Sequence, residues 1–273
     1  MASGSSIMLH KLAVLIDADN AQPSRIGPLL SEVARYGTAC VKRAYGDWTG
    51  TCLSGWKNQL LQQAIQPIQQ FAYTHGKNAT DSAMIIDAMD LLYAHRFDGF
   101  CLVSSDSDFT RLAARIREAG LVVYGFGERK TPPPFVTACN RFIYVENLVS
   151  QEVHPAVHRE AGQEKHHEVH PPRVIKTVAP RQCVSATQAS KDSQLAACLR
   201  AAVEAASHND HWAELGHVGN ILTHRHPDFD SRNYGYPKFC DLVAATSWFE
   251  IRREGNGGPM YVRAKNQAPA SSK

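Results

Sequence analysis

The sequence predicts an α/β fold in which a mostly parallel sheet carries helices on both faces, followed by a small winged helix-turn-helix domain. Two observations support this fold class. Between residues 12 and 145, short apolar runs alternate with amphipathic helical patterns, which is typical of βαβ units. After residue 192, helical patterns are followed by two short strands around a glycine-rich turn, as in a winged helix.

The individual elements follow from these patterns in chain order. Near-continuous apolar runs predict strands buried on both faces, at 12–16, 39–45, 68–72, 100–103, 122–126 and 142–145. Amphipathic spacing predicts helices at 23–36, 56–65, 81–95 and 109–119. In the C-terminal part we expect helices at 195–206, 215–223 and 236–245, then strands at 248–253 and 260–263.

These elements predict two domains, at residues 10–147 and 192–264, joined by a flexible linker at 148–191. The linker region has little periodicity and contains a His-rich tract of His154, His158, His166, His167 and His170. Such a tract can bind metal, but a solvated linker is favoured because no fixed scaffold orients the rings.

Composition sets broad limits on function. A hydrophobic share of 44% supplies a core, and a net charge of +3 permits nucleic-acid binding without demanding it. The seven cysteines form no CxxC pair, which favours reduced thiols in a cytoplasmic protein. We expect no signal peptide and no membrane span, because the N-terminus lacks a charged and apolar leader and no run of about 18 apolar residues exists.

Four aspartates stand where strands end or helices begin: Asp17, Asp81, Asp106 and Asp108. Ligands of open parallel sheets bind at the carboxyl ends of the strands, so these carboxylates are expected to meet there. Two carboxylates about 5 Å apart repel by roughly 3 kcal/mol at an effective dielectric of about 20. A nest of them therefore predicts a bound Mg²⁺ or Mn²⁺, which prefer oxygen ligands. The alternative is that Asp81 and Asp108 simply cap their helices.

Other residues are expected to support this site. Asn20 is predicted to hydrogen-bond the turn or the neighbouring strand end rather than the metal. Asp87 lies about 240° around its helix from Asp81, at about 100° per residue, and is predicted to be supporting or structural. Basic residues available to hold a phosphate backbone include Lys77, Arg43 and Lys130.

Three separated motifs resemble a NYN domain of the LabA-like group across about residues 10 to 147. They are Ile16-Asp17-Ala18-Asp19-Asn20, Gly76-Lys77-Asn78-Ala79-Thr80-Asp81 and Ser104-Ser105-Asp106-Ser107-Asp108-Phe109. The resemblance implies a PIN-like, Rossmannoid nuclease domain in which Asp17, Asp81, Asp106 and Asp108 are catalytic and bind Mg²⁺ or Mn²⁺. Ser105 stands where the family pattern commonly has glycine, and we expect it to support the site without removing a ligand.

The segment 192–264 resembles an OST-HTH (LOTUS) domain, most specifically at Phe229-Asp230-Ser231-Arg232-Asn233-Tyr234-Gly235. This resemblance implies binding of RNA, single-stranded or structured, or of a protein partner. Arg232, Lys238, Arg252 and Arg253 are the predicted RNA contacts. The alternative for Arg232 is an internal role in fixing the turn.

Together these features predict a metal-dependent ribonuclease whose second domain recruits RNA through a flexible tether. Two alternatives stay open. One is a non-catalytic RNA-binding regulatory adaptor with a vestigial acidic pocket, and the other is a phosphatase or nucleotidase that uses the same acids. A haloacid-dehalogenase-type phosphatase fits less well, because the threonine of its Asp-x-Asp-x-Thr motif is missing after Asp19.

Overall fold

A computed structural model describes residues 10–71, 79–148, 186–207, 211–255 and 258–265, with side chains of the 186–207 segment from residue 193 onward. Within these ranges the N-terminal domain is a six-stranded parallel sheet with the order β3-β2-β1-β4-β5-β6. The strands are β1 (Lys11–Asp17), β2 (Thr38–Gly46), β3 (Gln66–Gln69), β4 (Gly99–Val103), β5 (Val122–Gly127) and β6 (Arg141–Tyr144).

Helices cover both faces of this sheet, as the sequence predicts. They are α1 (Ile26–Val33), α2 (Lys57–Gln62), α3 (Ala79–Tyr93), α4 (Thr110–Glu118) and α5 (Pro133–Ala138). Alternate residues of the central strand β1 point to opposite faces. Leu15 therefore joins a core with Met84 of α3, and Ile16 joins a separate core with Leu29 of α1.

Some element bounds differ from the sequence prediction. The third strand ends at Gln69 rather than at 72, and residue 72 lies outside the described part of the chain. The sequence analysis did not predict α5, which begins with two prolines. The prolines occupy the first turn of the helix, where the missing backbone N–H costs nothing.

The C-terminal domain combines three helices with a small antiparallel sheet of order β7-β9-β8. Its elements are α6 (Ala186–Ala206), β7 (Ala213–Glu214), α7 (Leu215–Arg225), α8 (Phe239–Ala245), β8 (Phe249–Arg253) and β9 (Met260–Ala264). Helix α6 begins before the predicted residue 195, within the segment predicted to be linker. Strand β7 was not predicted, because two residues are too short to produce a pattern.

The two domains contact each other through polar groups at the edge strand β6 and helix α1. The backbone N–H of Phe142 donates to the carbonyl of Pro227 at 2.8 Å, and the Tyr144 hydroxyl donates to Asp228 at 3.1 Å. Arg232 donates to both carboxylate oxygens of Glu32, at 3.2 and 3.0 Å. The C-terminal domain thus lies against the N-terminal domain, whereas the sequence predicts only a flexible tether between them.

The His-rich tract and most of the predicted linker lie outside the described residues. Among the helices that are described, none combines the length and apolar character that a membrane span requires.

Candidate metal centre

Parallel strands bring the predicted acids to one edge of the sheet. Asp17 is the last residue of β1, and Asp106 follows the neighbouring strand β4 by three positions. Asp81 lies in the first turn of α3, which packs against β1 and β2. All of these acids therefore lie at the carboxyl edge, where open α/β sheets bind their ligands.

Three of the four acids form a cluster that can hold a cation. Asp81, Asp106 and Asp108 each offer a carboxylate oxygen, and these oxygens lie within 4.8 Å of one another. Asp81 is buried, Asp106 is half-buried and Asp108 is exposed, so the cluster opens to solvent on one side. In this cluster every donor is a carboxylate oxygen, which fits a hard cation such as Mg²⁺ or Mn²⁺.

Local backbone geometry sets the positions of Asp106 and Asp108. Asp106 caps the short 3₁₀ turn at Ser107–Phe109, and its Oδ1 accepts a hydrogen bond from the backbone N–H of Asp108 at 2.9 Å. The capping role suggested for Asp108 therefore belongs to Asp106 instead. This cap uses one oxygen of Asp106 and holds the two aspartates at a fixed spacing.

Asp17 is fully buried beside the cluster but does not belong to it. Its Oδ2 accepts hydrogen bonds from the Asn20 amide at 2.7 Å and from the Ser104 hydroxyl at 2.8 Å. Its Oδ1 accepts from the backbone N–H groups of Asp19 and Asn20, at 3.2 and 3.3 Å. Burial raises the pKa of Asp17, although these hydrogen bonds oppose the shift. The structure thus places Asp17 as an anchor of the turn after β1, and its role as a metal ligand stays a prediction.

Ser104 connects Asp17 to the cluster, a role that the sequence analysis missed. Its hydroxyl donates to Asp17 and accepts from the backbone N–H of Asp106 at 3.0 Å. The one sequence signal for this role is that Ser104 directly follows the predicted strand 100–103, because a residue in that place lies at the carboxyl edge of the sheet. Ser104 therefore positions Asp106 through the backbone.

Ser104→Ala is expected to reduce metal-dependent catalysis by about tenfold and the free energy of unfolding by about 1 kcal/mol. The substitution leaves the buried Asp17 oxygen and the Asp106 N–H without this partner. The matched control is Ser31→Ala, because the Ser31 hydroxyl donates to a carbonyl of its own helix α1, that of Gly27, at 3.1 Å. Urea denaturation and steady-state rates measure the two effects. Equal rates for Ser104→Ala and the wild type would remove the positioning role of Ser104.

The electrostatics of Asp81 indicate that a cation stabilises the cluster. Burial, together with the negative charges of Asp17, Asp106, Asp108 and Asp19, raises the pKa of Asp81 to about 6. Asp81 is therefore still mostly ionised at pH 7, but its charge is held at a free-energy cost that a nearby positive charge would relieve. A divalent cation supplies that charge, so the residues present fit the group that the donor set implies.

In the absence of metal, Asp81→Asn is expected to raise the free energy of unfolding by about 1 kcal/mol at pH 7. A full shift from 3.8 to about 6 corresponds to at most about 3 kcal/mol, and the open side of the cluster screens much of it. A raised pKa means that folding takes up a proton here. The metal-free wild type should therefore gain stability as the pH falls from 7 towards 4, and Asp81→Asn should lack this gain.

Thermal melts in EDTA and in Mn²⁺ test this prediction. Mn²⁺ should stabilise the wild type, because a ligand that binds only the folded state stabilises it. The Asp81→Asn variant should show a much smaller Mn²⁺ response. A variant that is less stable than the wild type in EDTA at pH 7 would mean that Asp81 is not under electrostatic strain.

The predicted supporting residues occupy different places. Asn20 bonds Asp17 directly, so it fixes the turn as predicted. Asp87 points away from the cluster and accepts hydrogen bonds from Arg43 at 2.8 Å and from the Tyr45 hydroxyl at 2.9 Å. It has a structural role between α3 and β2.

The predicted RNA-contacting residues of the N-terminal domain are only partly available. Arg43 is engaged with Asp87, and its side chain is 27% exposed. Lys130 follows β5 at the carboxyl edge, is 73% exposed, and forms an ion pair with Glu128 at 2.8 Å. Lys77 lies outside the described residues. Of this set, Lys130 is the best placed to reach a phosphate at the acidic cluster.

In the C-terminal domain, Arg232 is held between two acids. Besides Glu32 it contacts Asp230, with its Nη2 at 2.6 Å from the Asp230 Oδ2. Lys238 and Arg253 are exposed. Arg252 is half-exposed, and its guanidinium lies 4.9 Å from the Trp212 ring centroid. These placements favour Lys238, Arg252 and Arg253 as RNA contacts and favour the internal alternative for Arg232.

Comparison with known proteins adds two family matches. The model of the NYN domain matches residues 11–146, and the model of the OST-HTH/LOTUS domain matches residues 188–261. The comparison with curated proteins gave no match.

Solved structures with similarity to the chain include two bacterial proteins. A protein of unknown function from Vibrio parahaemolyticus is 18% identical, with 52% of this chain and 94% of that chain covered and a TM-score of 0.43. An uncharacterized protein from Nitrosomonas europaea is 29% identical, with 40% of this chain and 100% of that chain covered and a TM-score of 0.27. Neither description transfers an activity to this chain. The family matches, together with the parallel sheet and its acidic edge, identify residues 11–146 as a NYN domain joined to an OST-HTH/LOTUS domain at residues 188–261.

Proposed function

We propose that this protein is a metal-dependent ribonuclease that hydrolyses RNA phosphodiester bonds at the cluster of Asp81, Asp106 and Asp108. The observation that carries the proposal is the meeting of these three carboxylates within 4.8 Å at the carboxyl edge of the NYN sheet. The NYN domain belongs to the PIN-like nuclease superfamily, and the LOTUS domain suggests RNA as the polymer.

The residues of the site would act in distinct ways. Asp81, Asp106 and Asp108 would hold Mg²⁺ or Mn²⁺, which when bound lowers the pKa of a water molecule and neutralises charge on the phosphodiester. Asp17, Asn20 and Ser104 would keep Asp106 in place. Lys130 would hold the phosphate backbone beside the cluster. The sequence prediction that Asp17 is itself a metal-binding catalytic residue stays part of the proposal.

The LOTUS domain would recruit the RNA, and a protein partner bound to this domain is a further prediction. Phosphate contacts from Lys238, Arg252 and Arg253 would make RNA affinity depend on salt. We also propose a cytoplasmic location, and the described cysteines, which are free thiols, agree with a reducing compartment.

The test is incubation of a 5′-labelled single-stranded RNA with the full-length protein in Mn²⁺, in Mg²⁺ and in EDTA. The proposal predicts shortened RNA fragments in Mn²⁺ or Mg²⁺ and none in EDTA. Intact RNA under all three conditions, with retained RNA binding, would favour the non-catalytic adaptor instead. Release of inorganic phosphate from nucleotides without RNA cleavage would favour the phosphatase.

A further inference from the structure

A large cleft separates the NYN domain from the LOTUS domain. Its volume is about 1140 Å³, and its walls include Arg129 and Tyr144 from the NYN domain and Tyr234 and Trp248 from the LOTUS domain. Pockets of about 300–1,000 Å³ already enclose drug-sized ligands. The cleft therefore has room for more than one nucleotide.

The cleft opens on the same edge of the sheet as the acidic cluster. Tyr144 is the last residue of β6, and Arg129 follows the end of β5 by two positions. Strand β5 lies between β4 and β6, and neighbouring strands are about 4.8 Å apart. The ends of β4 and β6 are thus separated by about 10 Å, which a few nucleotides of an extended strand can span.

A continuous chain of contacts joins the loop that carries Asp106 to the cleft. The Ser105 hydroxyl accepts from the backbone N–H of Glu128 at 2.8 Å. The next residue, Arg129, donates from its backbone to Glu146 at 2.9 Å and from its guanidinium to Asn147 at 2.9 Å. These contacts hold the loop after β5 as a bridge between the acids and the cleft.

The cleft offers the chemical groups that bind unpaired nucleotides. The guanidinium of Arg129 lies 5.4 Å from the ring centroid of Tyr144, and Tyr234 exposes 39% of its surface. Aromatic rings beside a cation form the usual stacking platform for single-stranded nucleic acid.

The interdomain contacts give the cleft a fixed shape. Arg232 joins the two domains through Glu32, which is 6% exposed, and Asn147 donates to Asn233 at 2.6 Å. Charged and polar groups are thus paired between the two walls of the cleft. An RNA strand would bind along a preformed path. Binding would then cost less conformational entropy than it would if the LOTUS domain were held only by a flexible tether.

We propose that this interdomain cleft binds unpaired nucleotides of RNA and leads the strand to the acidic cluster. The inference rests on the proposed function, since it assigns a path to the same substrate. It differs from the sequence-based expectation, in which basic residues of each domain contact the RNA and no cleft between the domains takes part.

The experiment measures binding of a short, unstructured, fluorescein-labelled oligouridylate to the full-length protein by anisotropy in EDTA. Arg129→Ala removes the cation at the cleft, and Tyr234→Leu removes a ring face while keeping apolar bulk. Each variant is expected to weaken binding about fivefold to tenfold. This is the lower end of the loss in affinity expected when one base loses its stacking partner.

The chain offers a matched control pair on the opposite edge of the sheet. Arg115 lies 5.9 Å from the ring centroid of Tyr93, which is 60% exposed, and both lie near the C-terminal ends of their helices. Arg115→Ala and Tyr93→Leu should therefore leave the affinity for oligouridylate unchanged. Thermal melts of all four variants verify that they are folded.

A second measurement needs no variant. Oligouridylate containing 4-thiouridine is cross-linked to the wild-type protein by ultraviolet light, and the adducts are mapped by mass spectrometry. Adducts on the peptides of Tyr234 or Trp248 are expected. Adducts found only elsewhere, wild-type affinity in both cleft variants, equal losses in the control pair, or no RNA binding by the wild type would each overturn the proposal.

The two proposals fail separately. Binding is measured without metal, so a protein that binds RNA through the cleft but cleaves nothing in Mn²⁺ would refute the nuclease function alone. A protein that cleaves RNA with unchanged affinity in the cleft variants would refute the path alone.

Discussion

Asp106→Asn is expected to lower Mn²⁺-dependent hydrolysis of single-stranded RNA by about 100-fold or more. The substitution removes one negative charge from the Asp81–Asp106–Asp108 cluster. It keeps the cap on the 3₁₀ turn, because asparagine is as good an N-cap as aspartate and can still accept from the Asp108 N–H. The loss of activity should therefore result from the missing metal-binding charge rather than from a change in fold.

The matched control for this loss is Asp90→Asn, which makes the same chemical change at an exposed site on α3. Its rate should equal that of the wild type. Initial rates on a labelled RNA, measured across a range of Mn²⁺ concentrations, separate weaker metal binding from slower chemistry. An active wild type with an equally active Asp106→Asn variant would contradict the assignment of the cluster.

Arg232→Gln is expected to lower the free energy of unfolding by about 2 kcal/mol and to loosen the two domains from each other. Arg232 is 23% exposed and pairs with Glu32 and Asp230, both largely buried. Its removal takes away the cation beside Asp230 and leaves Glu32 with Arg35 alone, at 3.1 Å. Burial opposes ionisation of Glu32, yet hydrogen bonds from Arg232 and Tyr36 hold its pKa below the ordinary value. Arg232, Tyr36 and Arg35 together therefore outweigh the effect of burial on the pKa of Glu32.

A double-mutant cycle isolates the interdomain pair. Urea denaturation of Glu32→Gln, Arg232→Gln and the double variant should give a coupling energy of about 1–2 kcal/mol. The exposed pair of Arg252 and Glu254, 3.7 Å apart, serves as the control and should give less than about 0.5 kcal/mol. Small-angle scattering should show a larger radius of gyration for Arg232→Gln. Zero coupling with an unchanged radius would mean that this pair does not hold the domains together.

The sequence predicted much of the fold, because strong local patterns encode it. The apolar runs of β1 and β4 are buried on both faces, and such runs can be recognised without knowledge of their partners. The position of Asp81, Asp106 and Asp108 at one edge followed from the rule for parallel sheets. Helix α5 was not predicted. Prolines normally signal a loop, and only their place in the first turn permits a helix.

What the sequence could not predict depends on pairs that are distant along the chain. Arg43 and Arg232 are cations that a sequence interpretation assigns to RNA, but each is neutralised by an acid from another element. The partner of Arg232 lies 200 positions away, and no local pattern identifies it. In the same way, Asp17 looks like any other acid at a strand end until Asn20 and Ser104 are found to occupy its oxygens.

Anomalous diffraction from crystals of the full-length protein soaked in Mn²⁺ tests the central claim most directly. We predict an anomalous peak at the carboxyl edge of the sheet, coordinated by oxygens of Asp81, Asp106 and Asp108, that disappears in Asp106→Asn crystals. The absence of any peak between these three carboxylates at saturating Mn²⁺ would contradict the account.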